Sequence, residues 1–269
     1  MINLKKISII TTLIILITGF AFIIEEKSDV KTLETSAQSL STKKIGWGIK
    51  RNDNHEQPDL GKINKEIIEK NNGIAMGNSN DKYIYLTFDE GYEAGYTKQI
   101  LSTLKETNVK ATFFITAHYL NTQPELVKQM IDEGHIVGNH TVNHKSMPTL
   151  TEEQINSEVM DLHKSIYNQF RYEMKYIRPP MGEFSEKSIS VTNSLGYKTV
   201  MWSFAYEDWN ENKQPEENSA KKKIIDNVHN GEVMLLHGNS KTNTNILGDI
   251  INEIKNMGYE FKSLDEFEN

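Results

Sequence analysis

Seven short segments of the chain are rich in β-branched and aromatic residues, and helical patterns lie between most of them. Strands that alternate with helices predict an α/β fold built on a parallel sheet. Seven units fall one short of the usual eight, so we expect a distorted seven-stranded (β/α) barrel, with an open doubly wound sheet as the alternative. The predicted strands are residues 83–88, 111–116, 135–139, 175–178, 198–202, 233–237 and 259–263.

Composition excludes several classes of function. The net charge of −7 argues against a nucleic-acid-binding protein. The chain has no cysteine, which removes disulfides, thiolate metal sites, a cysteine nucleophile and lipid attachment through cysteine. A hydrophobic content of 37% is enough for a sizeable core.

The N-terminal residues predict export. Lys5 and Lys6 precede an uncharged stretch from Ile7 to Ile24, and two glutamates follow it. A positive flank before an apolar run orients the N-terminus inside the cell. The run is just long enough to span a bilayer and lacks a good cleavage site, so residues 1–24 are predicted to be a signal-anchor, with a cleaved signal peptide as the alternative.

The remaining chain divides into three parts by composition. Residues 25–44 are polar and predict a tether. Residues 45–82 form a pre-domain segment, in which we expect Trp47 to pack across the body. Residues 83–269 carry the strand–helix rhythm and predict the main domain.

Polar residues stand at the ends of five of the predicted strands, where parallel α/β folds carry their chemistry. Because the carboxyl ends of parallel strands share one edge of a sheet, we expect these side chains to form one site. They are Asp89, Glu90, His140, His144, Arg178, Asp208, Trp209 and His237.

Two histidines and a carboxylate predict a metal site. His140 and His144 are spaced i, i+4, so that on a helical turn both imidazoles would point the same way and bind one divalent metal. Arg178 precedes two prolines and is held in a stiff segment, from which it can orient a carboxylate. His237 ends an apolar strand and suits a proton donor, although a structural core histidine is the alternative.

Five segments, in chain order, resemble the five motifs of the polysaccharide deacetylase family of carbohydrate esterases. They are TFDEG at 87–91, HTVNH at 140–144, RPPMG at 178–182, EDW at 207–209 and LLH at 235–237. The resemblance covers residues 83–265. The segments WGIKR at 47–51, HEQPDLG at 55–61 and YEAGYT at 92–97 further resemble a sporulation branch, whose members de-N-acetylate muramic acid in spore-cortex peptidoglycan.

The resemblance implies metal-assisted hydrolysis of an N-acetyl amide. By motif position, Asp89 would be the base, Arg178 would hold it, and His237 would be the acid. Glu90, His140 and His144 would bind a divalent metal ion: zinc first, with cobalt, manganese or magnesium as alternatives. The substrate-binding residues implied in the same way are Pro180, Gly182, Asp208, Trp209 and Leu235.

Two departures from the family pattern leave questions open. Glu90 stands where the family has a second Asp, which would weaken or re-angle the metal site. Ala205 stands where the fourth motif begins with an Asp that supports the acid histidine, so the tuning of His237 is open. A degenerate glycan-binding wall protein is therefore an alternative to an enzyme.

The implied partner is the peptidoglycan glycan strand. We expect N-acetylmuramic acid as the target, on the way to muramic δ-lactam, with N-acetylglucosamine or chitin-type chains as the alternative. We expect a monomer at the cell membrane or on its wall side, with no nucleic-acid partner.

Overall fold

A computed structural model describes residues 40–267. The predicted membrane segment 7–24 and most of the predicted tether lie outside the described residues. Within residues 40–267, no helix is long and apolar enough to cross a membrane. The strands of this range are β1 (Ile45–Gly46), β2 (Tyr83–Glu90), β3 (Thr112–Ile115), β4 (Ile136–Asn139), β5 (Tyr176–Ile177), β6 (Glu183–Phe184), β7 (Lys198–Thr199), β8 (Glu232–His237) and β9 (Glu260–Phe261). The α-helices are α1 (Lys62–Lys70), α2 (Thr97–Glu106), α3 (Ala117–Thr122), α4 (Pro124–Asp132), α5 (Glu152–Phe170), α6 (Glu186–Ser194), α7 (Glu217–Asn227) and α8 (Lys241–Asn256).

Seven strands form the main sheet, in the order β7-β5-β4-β3-β2-β8, with β9 paired to the start of β2. Every pair is parallel, which confirms the predicted α/β class. The sheet curls into a half-barrel rather than an evenly closed barrel. One reason is that β5 and β7 are only two residues long, and a single isolated bridge joins Phe204, beyond β7, to Met234 of β8.

The strand that places the site is β2, which lies between β3 and β8. It pairs with β3 along one edge and with β8 along the other, and its last seven residues are buried. A parallel strand covered on both faces reads as a near-continuous apolar run, as this one does up to Phe88. Asp89 then lies in register with Phe114 of β3 and with His237 of β8. The register therefore brings Asp89 and His237 to neighbouring strand ends.

The helical patterns between the strands form helices with defined starts. Pro124 opens α4, and the hydroxyl of Thr151 accepts the backbone N–H of Gln154 at the start of α5. The side-chain oxygen of Gln154 in turn accepts the backbone N–H of Thr151, which completes the capping box. The apolar stripe of α5 is buried in the core: Ile155, Val159, Leu162 and Ile166.

The pre-domain segment packs on the body through Trp47, as expected. Its indole Nε1 donates to the carbonyl oxygen of Trp202 at 2.9 Å, and its backbone N–H donates to Gly182 at 2.8 Å. The ring packs at 6.2 Å from Phe184, whose strand β6 pairs antiparallel with β1. Since Gly182 and Trp202 also border the large cavity described below, this segment supports one of its walls.

Replacing Trp47 with Ala should lower the free energy of unfolding by about 3 kcal/mol, because a buried indole and its hydrogen bond are lost. Chemical denaturation followed by circular dichroism measures this loss. The exposed Ile63 of α1 gives the control, since Ile63→Ala should change stability by less than about 0.5 kcal/mol. Equal effects of the two substitutions would contradict the packing role of Trp47.

Candidate active site

Asp89 and Arg178 form a buried ion pair at the carboxyl end of β2. Nη1 of Arg178 donates to Oδ1 of Asp89 at 2.8 Å, and the Arg178 side chain is fully buried. The other guanidinium donors, Nε and Nη2, reach the carbonyl oxygens of Val200 and Met201 at 3.2 Å. The guanidinium carbon lies 4.3 Å from the centre of the Phe114 ring. Arg178 is thus fixed on every side, and it fixes Asp89.

Asp89 is held in its ionised form. Burial alone would raise its pKa, but the Arg178 guanidinium, with His140 and His237, outweighs burial and holds the pKa below its ordinary value. An ionised carboxylate with one oxygen held by Arg178 leaves the other, Oδ2, free to accept a proton.

His140 and His144 face each other across 3.1 Å between their Nε2 atoms. Nδ1 of His140 lies 2.8 Å from the backbone carbonyl oxygen of Arg178, which can only accept, so Nδ1 carries the proton and Nε2 carries a lone pair. Burial lowers the pKa of His140 to about 4 and also lowers the pKa of His144. Both imidazoles are therefore neutral near pH 7.

The two histidines meet through an irregular turn, and the predicted helical turn is wrong. Thr141 and His144 have positive φ angles of 68° and 53°. The backbone N–H of Thr141 bonds the Asn139 side chain at 2.8 Å, and Asn143 bonds both carboxylate oxygens of Glu158 on α5. These side-chain acceptors hold the backbone in the turn, so the spacing works without a helix.

Glu90 is not brought to the two histidines, contrary to our expectation. Successive side chains of a strand face opposite sides, so Glu90 points away from Asp89. Its Oε1 lies 3.5 Å from the Thr97 hydroxyl, and its carboxyl group packs so closely on Gly238 that a Cβ there would lie 1.9 Å from Oε1. Within the described chain, no ion pair joins it to a histidine. Burial, with Glu93 and Asp89, raises its pKa well above the ordinary value, which favours the neutral acid.

The histidine pair fits a divalent cation. Two ligand atoms on a tetrahedral zinc lie roughly 3.3 Å apart when each bond is about 2.0–2.1 Å. The two Nε2 atoms are 3.1 Å apart, and Oδ2 of Asp89 lies 3.5 Å from Nε2 of His140. Within residues 40–267, no ready-made cluster of three His, Asp or Glu side chains surrounds one point. The site thus offers two neutral imidazoles beside one carboxylate oxygen.

His237 is supported by Asp208. Nδ1 of His237 lies 2.7 Å from Oδ1 of Asp208, and its backbone N–H donates to Oδ2 at 2.9 Å. Asn243 of α8 donates to the same Oδ2 at 2.5 Å, so the carboxylate is fully engaged. Burial alone would lower the pKa of His237, but Asp208 first, and then Asp89, raise it above the ordinary value. The imidazolium is favoured, with its Nε2 side left free.

This contact answers the question raised by Ala205. The carboxylate that the fourth motif lacks at Ala205 is supplied three residues later, by Asp208. Asp208 was expected to bind substrate, but its side chain is fully buried behind His237 and is not among the residues that border the cavity. Asp208 therefore contacts His237 and raises its pKa.

A cavity of about 830 Å³ joins these groups, and Asp89, His140, His144 and His237 all border it. Three of the predicted substrate-binding residues also border it, namely Gly182, Trp209 and Leu235, whereas the buried Pro180 does not.

Several residues that border this cavity were not predicted from the sequence. The missed residues include Tyr92, Met181, Trp202, Tyr206, Glu207 and Asn239. Tyr92 and Met181 are 43% and 55% exposed. The signal available in the sequence was a large apolar or aromatic side chain within or directly after a strand-end motif.

Comparisons with known proteins identify the family. The sequence profile of the polysaccharide deacetylase family matches residues 76–200. The peptidoglycan-N-acetylmuramic acid deacetylase PdaA of Bacillus subtilis is 43% identical over 231 residues, covering 86% of this chain and 88% of PdaA. The chain belongs to the polysaccharide deacetylase family. The structure of PdaA, described as a family 4 carbohydrate esterase, superposes with a TM-score of 0.82 over 85% of this chain and 98% of that one.

Two further relatives show the breadth of this deacetylase family. A family 4 carbohydrate esterase from Bacillus anthracis is 38% identical, with a TM-score of 0.72 over 85% of this chain and 98% of that one. A peptidoglycan-N-acetylglucosamine deacetylase of Bacillus cereus is 33% identical over 193 residues, covering 70% of this chain and 89% of that protein. The curled α/β sheet is thus that of polysaccharide deacetylases.

Zinc affinity should depend on the two histidines and not on Glu90. Because the neutral Glu90 side chain is matched in shape by an amide, Glu90→Gln should leave zinc affinity unchanged. His140→Ala removes a ligand and should weaken zinc binding by more than the roughly 10–100-fold that follows from losing a supporting residue. Isothermal titration with zinc measures both. A strong loss of affinity in Glu90→Gln would restore Glu90 as a ligand.

The pH profile should report the Asp208–His237 contact. If His237 must be protonated to act, kcat falls as pH rises through its pKa. Asp208 raises that pKa, so Asp208→Asn should move the alkaline limb of the kcat profile to lower pH while the acidic limb stays in place. An unmoved alkaline limb, in a variant with normal thermal unfolding, would remove Asp208 from this role.

Proposed function

We propose that this chain hydrolyses the N-acetyl group of N-acetylmuramic acid in peptidoglycan, releasing acetate and a free amine. One observation carries the proposal. An ionised carboxylate, Asp89, and a histidine with a raised pKa, His237, stand in register at neighbouring strand ends and border the same cavity. Two titratable groups whose pKa values are pushed apart are a general base and a general acid. The similarity to a muramic acid deacetylase supports the substrate.

Asp89 starts the reaction. A divalent cation held by His140 and His144 would polarise the acetamide carbonyl and lower the pKa of water. Oδ2 of Asp89 takes a proton from water as the water oxygen bonds to the carbonyl carbon. Arg178 keeps Oδ1 in place, so that the carboxylate does not turn away during the transfer. A tetrahedral centre with a negatively charged oxygen results.

His237 completes the reaction. Its Nε2 proton passes to the amide nitrogen as the C–N bond breaks, since an unprotonated amide anion would be a very poor leaving group. Asp208 holds Nδ1–H throughout and stabilises the imidazolium before the transfer. The products are acetic acid, which ionises to acetate, and the amino sugar; Asp89 then gives its proton to solvent, and His237 regains a proton from solvent.

Space beside the site is consistent with a muramic ring. Gly91 and Gly95 lie in the loop after β2, and a Cβ built at either would meet nothing within 4 Å. A lactyl substituent on the sugar needs such room. Deacetylation leaves an amine close to the lactyl carboxylate, the arrangement from which a δ-lactam closes. We further propose that this activity serves cortex peptidoglycan, with the catalytic body outside the membrane and residues 7–24 as its anchor.

Acetate release tests the substrate directly. Stem-free muramic glycan, intact glycan and chitooligosaccharide should be offered in parallel to the zinc-loaded protein. We expect the highest kcat/KM for the stem-free glycan, with mass spectrometry locating the loss of acetyl on muramic acid. Equal or better turnover of chitooligosaccharide would make this a glucosamine deacetylase, as the Bacillus cereus relative is named.

Removing the His237 imidazole should lower turnover without removing zinc. His237→Ala should retain zinc and lower turnover by roughly 10²–10⁴-fold, the usual contribution of a general acid. His118→Ala, on the exposed surface of α3, is the matched control and should keep wild-type turnover. Near-normal turnover of His237→Ala would make His237 a structural residue.

A further inference from the structure

A second groove, of about 450 Å³, adjoins the catalytic cavity. Tyr92 borders both and forms the wall between them. Its hydroxyl donates to Oε1 of Glu211 at 2.8 Å and accepts from Nδ2 of Asn239 at 2.7 Å. Because two partners hold the hydroxyl, the wall has a defined position. A chain of sugars that passes over Tyr92 would occupy both spaces.

Two polar side chains that border the groove are available to bind a ligand. The side chains of Lys241, the first residue of α8, and of Asn212 form no hydrogen bond or ion pair within the described residues. The Gln214 side chain, in contrast, is already hydrogen-bonded. Its amide nitrogen donates to the carbonyl oxygen of Asp208, and its amide oxygen accepts from the hydroxyl of Ser240. An ammonium and a free amide can donate to the hydroxyl and acetamide oxygens of a sugar.

The charge of the groove selects among sugars. Glu93 and Glu211 border it against the single cation of Lys241, so it carries a net negative charge. Glu93 is already bound to the backbone N–H groups of Gly95 and Thr97, which keeps its carboxylate in place. A muramic residue with a free lactyl carboxylate would meet like charge here, whereas an uncharged hexosamine would not.

We propose that this groove binds the uncharged N-acetylhexosamine next to the reacting residue and so sets the register of the glycan strand. The inference rests on the proposed function. Charged and uncharged sugars alternate in stem-free peptidoglycan. An uncharged sugar in the groove therefore brings a muramic residue, not a glucosamine, to Asp89. Selectivity for muramic acid then arises beside the catalytic cavity as well as within it.

Substrate length and order test the proposal. The zinc-loaded, full-length protein is given N-acetylmuramic acid and the two stem-free disaccharides that join it to N-acetylglucosamine in opposite orders. We expect one order to exceed the monosaccharide in kcat/KM by roughly tenfold, the equivalent of one or two neutral hydrogen bonds. Mass spectrometry should locate the deacetylation on the muramic residue of that disaccharide.

Groove variants should abolish the disaccharide's advantage. Ala94 borders the groove, and Ala94→Trp fills it. The double variant Asn212→Ala with Lys241→Ala removes its free donors. Both should reduce the ratio of disaccharide to monosaccharide kcat/KM to near one. Lys62→Ala, which removes an exposed lysine from the first position of α1, is the matched control and should keep the wild-type ratio.

The outcomes separate the groove from the reaction. Acetate release with a wild-type ratio in both groove variants, or no effect of disaccharide order, overturns the groove and leaves the proposed function standing. If no acetate is released, the proposed function fails, and calorimetric binding of the disaccharides decides the groove. Binding weakened by Ala94→Trp then supports it, and equal binding overturns it.

Discussion

The buried pair of Arg178 and Asp89 is the interaction on which the site depends. The guanidinium joins the end of β2 to the segment after β7, and the backbone carbonyl of Arg178 fixes the tautomer of His140. Arg178 thus positions the base Asp89, the segment after β7 and His140. Removing one partner of a buried pair would leave an uncompensated charge, which usually destabilises a fold by about 3–5 kcal/mol. Stability and chemistry are therefore coupled at this point.

Asp89 and His237 favour opposite protonation states because each lies beside a different charged partner. Asp89 is buried beside a cation and stays ionised, whereas His237 is buried beside a carboxylate and favours its charged form. Asp89 and His237 also lie in register on adjacent strands, so each charge favours the other. A base and an acid are thereby kept ready in one cavity, which hydrolysis of an amide requires.

Much of this was predictable from the sequence, because the carboxyl ends of parallel strands share one edge. That rule placed Asp89, Arg178 and His237 together without knowledge of the sheet order. The predicted strand ended at Phe88, whereas β2 continues to Glu90, so alternation along the strand turns Glu90 away from Asp89, contrary to expectation. The support of His237 by Asp208 depends on Asn243 of a distant helix, and the histidine turn depends on Glu158 of another. Contacts of this kind leave no local pattern in the sequence.

The most direct measurement is a crystal structure of the Asp89→Asn protein soaked with zinc and stem-free muramic glycan. The account predicts zinc on Nε2 of His140 and His144, with no contact to Glu90. It also predicts the acetamide carbonyl carbon beside residue 89 and the amide nitrogen within hydrogen-bond distance of Nε2 of His237. Zinc bound by Glu90, or glycan bound with its acetamide away from His237, would contradict it.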